Sequence, residues 1–299
     1  MRAAAILGLG SSPHDLRPFQ QTSQIGWTIG LPSAQEPLDA ILIFGGDGTL
    51  HRHLGSLAKL RLPVLVVPAG SGNDFARALG LLSVSDSLAA WRKFAADESE
   101  SRSVDLGTIK PLAPIAGRMP GAIAADPIYF SCAAGVGLDG EIARRANTLP
   151  RWLRARGGYA LSLPGALLGL RPFGLKLSTP LGQDANDLAP QEERSAVAAV
   201  FANTPYYGGG MKVAPKAQMD DGQLDVCIIR NIAKMKLLTV FPSVYFGRHL
   251  GIREVEYFSL PRARVETDRP LDVYADGELV CRTPVEIGVV PAALRVIVS

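Results

Sequence analysis

The chain has 299 residues, 47% hydrophobic and 20% charged, which suffices for one large domain or two ordinary ones and excludes a disordered chain. A net charge of +3, evenly spread, excludes a dedicated nucleic-acid binder and leaves room only for local basic patches. The cysteines, Cys132, Cys227 and Cys281, lie far apart without metal-ligand spacing and suit a reducing compartment.

The first third alternates strand and helix patterns. AAILGLG reads as a first β-strand, because its apolar run is short for a signal peptide and lacks a cleavage site. Asp39 to Phe44 (DAILIF) is a continuous apolar run of the kind that forms a buried parallel strand. A glycine-rich turn follows, and leucines 50, 54, 57 and 60 then repeat at helical spacing. Leu62 to Pro68 (LPVLVVP) is the next strand, a second glycine turn follows, and NDFARALGLL reads as a helix. SDSLAAWRKFAADE adds a third helix with Ser85 or Asp86 as its N-cap. Strand, glycine loop and helix in repetition predict a doubly wound α/β domain over residues 1–105.

From about Val104 short strands dominate: PIYFSCAAG, FGLKLS, SAVAAVFANT, LDVCIIR, VEYFSL, RARVET, LDVYAD, ELVCR and ALRVIVS. Helical patterns interrupt them at 140–170 and around Pro242, and polar loops at 111–127 and 180–194 read as hairpin insertions. The expectation for 106–299 is a mainly antiparallel β-sandwich, its extreme C-terminus packed back on the first domain. The longest apolar stretch, Tyr159 to Leu170, is broken by Pro164 and two glycines and falls short of the roughly 20 residues that a bilayer span takes. A soluble, cytoplasmic protein is expected, with the inner face of the membrane as a peripheral contact. Arg144, Arg145, Arg151, Arg154 and Arg156 form either a solvated helix face or a surface for anionic lipid.

Two loops carry chemistry. Gly45-Gly46-Asp47-Gly48-Thr49 stands between a buried strand and a helix, where glycines bring main-chain N–H groups close to a ligand and the helix N-terminus favours phosphate. Thr49 adds a hydroxyl, and Asp47 adds a carboxylate for metal or proton. Gly70-Ser71-Gly72-Asn73-Asp74 repeats the arrangement after the next strand. Parallel neighbours place both loops on one carboxyl edge of the sheet, where such folds bind ligands. Asn73 or Asp74 alone would be a plain N-cap; the pairing of loops is what points to a bound phosphate.

FGGDGTLH followed by PAGSGNDFARALG resembles the diacylglycerol kinase catalytic-domain family, which includes bacterial lipid kinases and sphingosine kinases. SCAAGVGLDGEIAR, NTPYYGGGMKVAPKAQMDDGQLDV, YADGELV and the closing PAALRVIVS continue the likeness in the family's order. The resemblance implies an ATP-dependent kinase that phosphorylates a lipid hydroxyl with Mg²⁺, and a homodimer is compatible with it. Gly45 to Thr49 and Gly70 to Gly72 match the family's phosphate loops. Glu278 falls where relatives carry a proton acceptor, with Asp276 and Asp47 as competing candidates; Asp276-Gly277 also reads as a type I′ hairpin turn. Asp221 matches a metal-binding aspartate whose companions would be main-chain carbonyls near Gln218 and Gln223. Two departures stand out: Arg52 occupies a position where the family commonly has Glu, and the nucleotide-contacting Thr has only Thr28 as a candidate. His51 reads as a helix-surface residue. GGDG alone also fits an NAD kinase-like phosphotransferase, and Arg52 keeps open a nucleotide- or lipid-binding protein without turnover.

Overall fold

The computed structural model describes residues 1–21, 25–33, 36–113, 126–149, 158–180, 188–190 and 193–298. Strands β1 (Arg2–Leu7), β2 (Gly26–Ile29), β3 (Ala40–Gly45) and β4 (Pro63–Pro68) lie parallel in the order β4-β3-β1-β2. β3 is buried along its whole length, as its unbroken apolar run requires of a strand covered on both faces. Helices α1 (Pro13–Gln20) and α4 (Val84–Ala95) pack together, with Trp91 Nε1 donating to the Phe19 carbonyl and Phe19 edge-on to Phe44. Helix α2 (Asp47–Leu60) buries Leu50, Leu54 and Leu57, and α3 (Asp74–Ala78) is a single short turn.

Beyond β5 (Arg102–Pro111) the architecture is mainly antiparallel, as expected for the second half. β6 (Ile128–Phe130) pairs with β5. β7 (Ala133–Gly137), β8 (Phe173–Pro180), β10 (Arg194–Ala202), β13 (Arg262–Thr267), β14 (Asp272–Ala275) and β15 (Glu278–Arg282) run in the order β15-β14-β7-β10-β8-β13; β9 (Leu188–Pro190) borders β8, and β11 (Leu224–Arg230) and β12 (Val255–Leu260) continue from β10. One apolar core fills this sandwich, and a smaller one packs helix α5 (Leu138–Thr148), the helix Gly158–Leu168 and the helix Lys234–Val240 against β10.

The final strand, β16 (Val285–Val296), ties the halves together. Its first part pairs antiparallel with β13; its register shifts between Val290 and Leu294; its last part pairs parallel with β4. β5 runs antiparallel along both parts. No described helix is long and apolar enough to cross a membrane.

Three details differ from the sequence expectation. PIYFSCAAG forms two strands, because the N–H groups of Ser131, Cys132 and Ala133 all turn to the Asp276 carboxylate. The N-cap of α4 is Ser83, whose side chain and main chain exchange hydrogen bonds with Asp86 in a capping box. The sequence pattern also missed α1 and β2, which complete the first sheet. Among the loops that read as hairpin insertions, residues 114–125 and most of 180–194 lie outside the described residues.

Candidate active site

β1, β3 and β4 end on one edge of the sheet, and three loops meet there. Gly46 and Gly70 touch backbone to backbone: a Cβ on Gly46 would stand 2.8 Å from Gly70 Cα, and one on Gly70 would overlap Gly46 Cα. Asn73 fixes the second loop from within. Its side chain accepts from Gly70 N at 2.9 Å and donates to Gly70 O at 3.0 Å. It adopts φ 56°, a left-handed conformation that asparagine tolerates better than most residues. Thr49 packs against Gly8 and Gly45, so a Cβ on Gly45 would lie 2.6 Å from its hydroxyl oxygen.

Gly8 and Leu9 were not among the expected site residues. They follow β1 as the other loops follow β3 and β4, and Gly8 N donates to Phe44 O at 2.7 Å. The signal was present in GLGSSPHD: glycines after a strand, then Ser12 as N-cap and Pro13 at the first helical position. Thr28 sits exposed on edge strand β2 and does not line the cleft.

A cleft of about 260 Å³ opens between these loops and the second half. Asp47, Asp74, Asp276 and Glu278 all line it, together with Gly46, Gly48, Thr49, Gly70, Ser71 and Gly72. Asp47 bonds across to α3, accepting from Asp74 N at 3.0 Å and Phe75 N at 3.1 Å. Burial, and then the Asp74 charge, push its carboxyl up to about 7 against the pull of those two N–H groups. Asp74 turns toward the second half, accepting from Gly209 N and Gly210 N at 2.7 Å each and pairing with Arg77 at 2.8 Å. Burial raises its pKa, while the two glycine N–H groups and Arg77 oppose the rise. Gly208, Gly209 and Gly210 have φ 67°, 85° and 98°, a run of left-handed backbone that presents two N–H groups to one carboxylate.

Asp276 and Gly277 occupy the two central positions of the β14–β15 turn, with φ 49° and 84°, as a type I′ turn requires. The Asp276 carboxylate is spoken for: Ser131 N and Oγ, Cys132 N, Ala133 N and His51 Nδ1 at 3.2 Å surround it. His51 is therefore no plain surface residue. Burial lowers its pKa, but the hydrogen bond and charge of Asp276 outweigh this and set it above the ordinary value. Glu278, by contrast, is exposed to the cleft, and its Oε1 lies where a Cβ on Gly48 would come within 3.2 Å. Gly48 thus leaves the space in which the Glu278 carboxylate faces the first turn of α2.

Gln218, Asp221 and Gln223 lie away from the cleft, on an exposed loop held by Asp105. Asp221 Oδ1 accepts from Gln223 N at 2.9 Å, and its other oxygen takes no hydrogen bond from the described residues. Asp220 pairs instead with Arg102. An exposed carboxylate with one oxygen not engaged by the described residues suits an oxygen-seeking cation such as Mg²⁺. No cluster of three or more His, Cys, Asp or Glu suited to a metal occurs among the described residues. Arg144 and Arg145 both bond to Glu141; Arg151, Arg154 and Arg156 lie outside the described residues.

Behind the cleft is a second, apolar cavity of about 70 Å³, lined by Leu138, Ile142, Met211, Leu237, Phe241 and neighbours. Helix α5 and the Tyr207–Met211 turn wall both spaces: Ala146 and Tyr207 face the cleft, Ile142 and Met211 the cavity.

Comparison with known proteins agrees with this geometry. Residues 23–109 match the diacylglycerol kinase catalytic domain, and residues 132–298 match the YegS C-terminal NAD kinase beta sandwich-like domain. A diacylglycerol kinase of Mycobacterium tuberculosis is 33% identical over 87% of this chain and 76% of its own length. One of Bacillus subtilis is 25% identical over 82% of this chain and 73% of its own. The crystal structure of a diacylglycerol kinase from Bacillus anthracis superposes with a TM-score of 0.65 at 19% identity, covering 100% of this chain and 97% of that one, which is a likeness of fold.

Proposed function

The chain belongs to the family of diacylglycerol and YegS-like lipid kinases, and from that premise we propose that it transfers the γ-phosphoryl group of ATP to a lipid hydroxyl, with diacylglycerol as the first candidate acceptor. The observation that carries this reading is the Glu278 carboxylate facing Gly48 in the same cleft as two touching glycine loops. The loops at Gly45 to Thr49 and Gly70 to Gly72 hold the nucleotide phosphates through main-chain N–H groups. Asn73 shapes the second loop, and Asp47 and Asp74 hold the two loops and the 208–210 turn together.

Glu278 accepts the proton of the acceptor hydroxyl as its oxygen attacks the γ-phosphorus. Asp276, with its oxygens occupied by Ser131, Cys132, Ala133 and His51, aims the hairpin that presents Glu278. Mg²⁺ bound with the nucleotide would neutralise phosphate charge, and a second, structural Mg²⁺ would be held by Asp221 with the carbonyls of Gln218 and Gln223. The apolar cavity beside the cleft favours a lipid over a dinucleotide acceptor, since its walls offer contacts for hydrocarbon. Exposed Met235, Leu238 and Phe246 stand on the adjoining helices, a surface suited to transient contact with a membrane. We propose a domain boundary near residue 105, within β5.

The test is phosphoryl transfer from labelled ATP to diacylglycerol, other lipid alcohols and NAD. Labelling of diacylglycerol or another lipid supports the reading; labelling of NAD alone would replace it.

A further inference from the structure

We infer that Arg52 anchors the β- and γ-phosphates of the nucleotide, an assignment that rests on the ATP-dependent reading above. The cleft brings four carboxylates, Asp47, Asp74, Asp276 and Glu278, to the place where a polyanion must bind. Arg52 is the one Lys or Arg side chain among the described residues that line it. Arg77 is already taken by Asp74, and main-chain N–H groups supply only partial positive charge, so a triphosphate in this acidic cleft still needs a full cation from the protein.

Helix geometry aims the side chain. Arg52 follows Gly48 by four residues, so the two share one face of α2. Helical side chains lean toward the helix N-terminus, which carries Arg52 back over Gly48 and toward the Gly45–Thr49 loop. Gly48 has no side chain to fill that path. Glu278 borders the same space from the β14–β15 hairpin, so Arg52 and the hydroxyl-facing carboxylate flank one volume.

Availability is the second argument. Most arginines in the described chain are engaged: Arg77 with Asp74, Arg102 with Asp220, Arg145 with Glu141, Arg282 with Asp272. Arg52 is exposed and makes no hydrogen bond or ion pair with the described residues, despite four acids in the same cleft. A guanidinium without a carboxylate partner keeps its planar donor fork for a bidentate phosphate contact. Arg52 thus adds to nucleotide binding.

The experiment is calorimetric titration of wild type, R52Q and R52K with ATP, ADP and AMP in the presence of Mg²⁺, with unfolding temperatures recorded beside it. R52Q is expected to weaken ATP and ADP binding roughly tenfold, at the modest end for charged hydrogen bonds, and to change AMP binding less than twofold. R52K, which keeps charge but loses the fork, is expected to fall between. Equal ATP affinity in wild type and R52Q would overturn the inference alone. Equal weakening of ATP and AMP would also overturn it, since that reports a disturbed cleft. A wild type that binds no ATP would overturn the kinase reading and this inference with it.

Discussion

Gly46 and Gly70 meet where neither position has room for a side chain. Gly70→Ala forces the loops apart or strains both; about 1–3 kcal/mol of stability should be lost, the usual range for overpacking, along with nucleotide affinity. Denaturant midpoints and ATP titration on the same preparation check both effects. Asp47 makes a pH-dependent contribution. Its carboxyl rises from 3.8 in the unfolded chain to about 7 in the folded one, so the native state holds a proton that the unfolded state releases. Stability from this group is therefore greatest below pH 3.8 and declines as pH rises toward 7. Asp47→Asn lacks the titration. The unfolding temperature of wild type relative to the variant should fall across that window, and a constant difference would refute the assignment. Phosphoryl transfer by Asp47→Asn should fall steeply as well, because one of its bonds to α3 becomes a donor facing a donor. Glu278→Gln separates chemistry from binding. Its rate should drop by a factor of roughly 10² to 10⁴ with ATP affinity nearly unchanged. An active Glu278→Gln enzyme, read in single turnover, would move the base elsewhere.

Buried carboxylates join elements alongside the shared apolar core. Asp105 on β5 accepts from Gly222 N and Ala292 N, at 2.8 Å each, and so ties the Asp221 loop to the register shift of β16. Asp105→Ala leaves two main-chain donors without a partner and should cost about 2–4 kcal/mol. Circular dichroism against denaturant measures it, and a change within 0.5 kcal/mol, the scale of an ordinary surface substitution, would show that the loop is held otherwise. The same loop carries the proposed structural Mg²⁺. Chelation should lower the unfolding temperature of wild type and leave Asp221→Ala unmoved. Matching responses in both proteins would remove Asp221 from any metal site, leaving it only its turn bond to Gln223 N.

At the scale of the molecule, the first sheet is finished by the last strand. Leu294, Val296 and Ile297 join the core of the nucleotide half, and β16 covers the edge of β4. A fragment of residues 1–105 therefore exposes an apolar strand edge and should bind hydrophobic dyes and lack a cooperative transition, although its motifs are intact. A sharp thermal transition in that fragment would show that the closure by β16 adds little.

The sequence by itself determined what local physics settles. Continuous apolar runs marked β3 and β4, leucine spacing marked α2, and glycines at strand ends marked two of the three loops. Parallel topology then required those loops to share an edge. Order of motifs along the chain sufficed for the family. Only the tertiary structure decided which carboxylate is free. Asp276 and Glu278 are two residues apart in one hairpin and alike on paper. Yet Asp276 is consumed by N–H groups from Ser131 to Ala133, some 140 positions earlier, while Glu278 stays open to the cleft. His51, a surface residue by helical pattern, became a partner of Asp276 for the same reason. Hydrogen bonds between distant segments leave no periodicity to read, and they depend on where the chain returns.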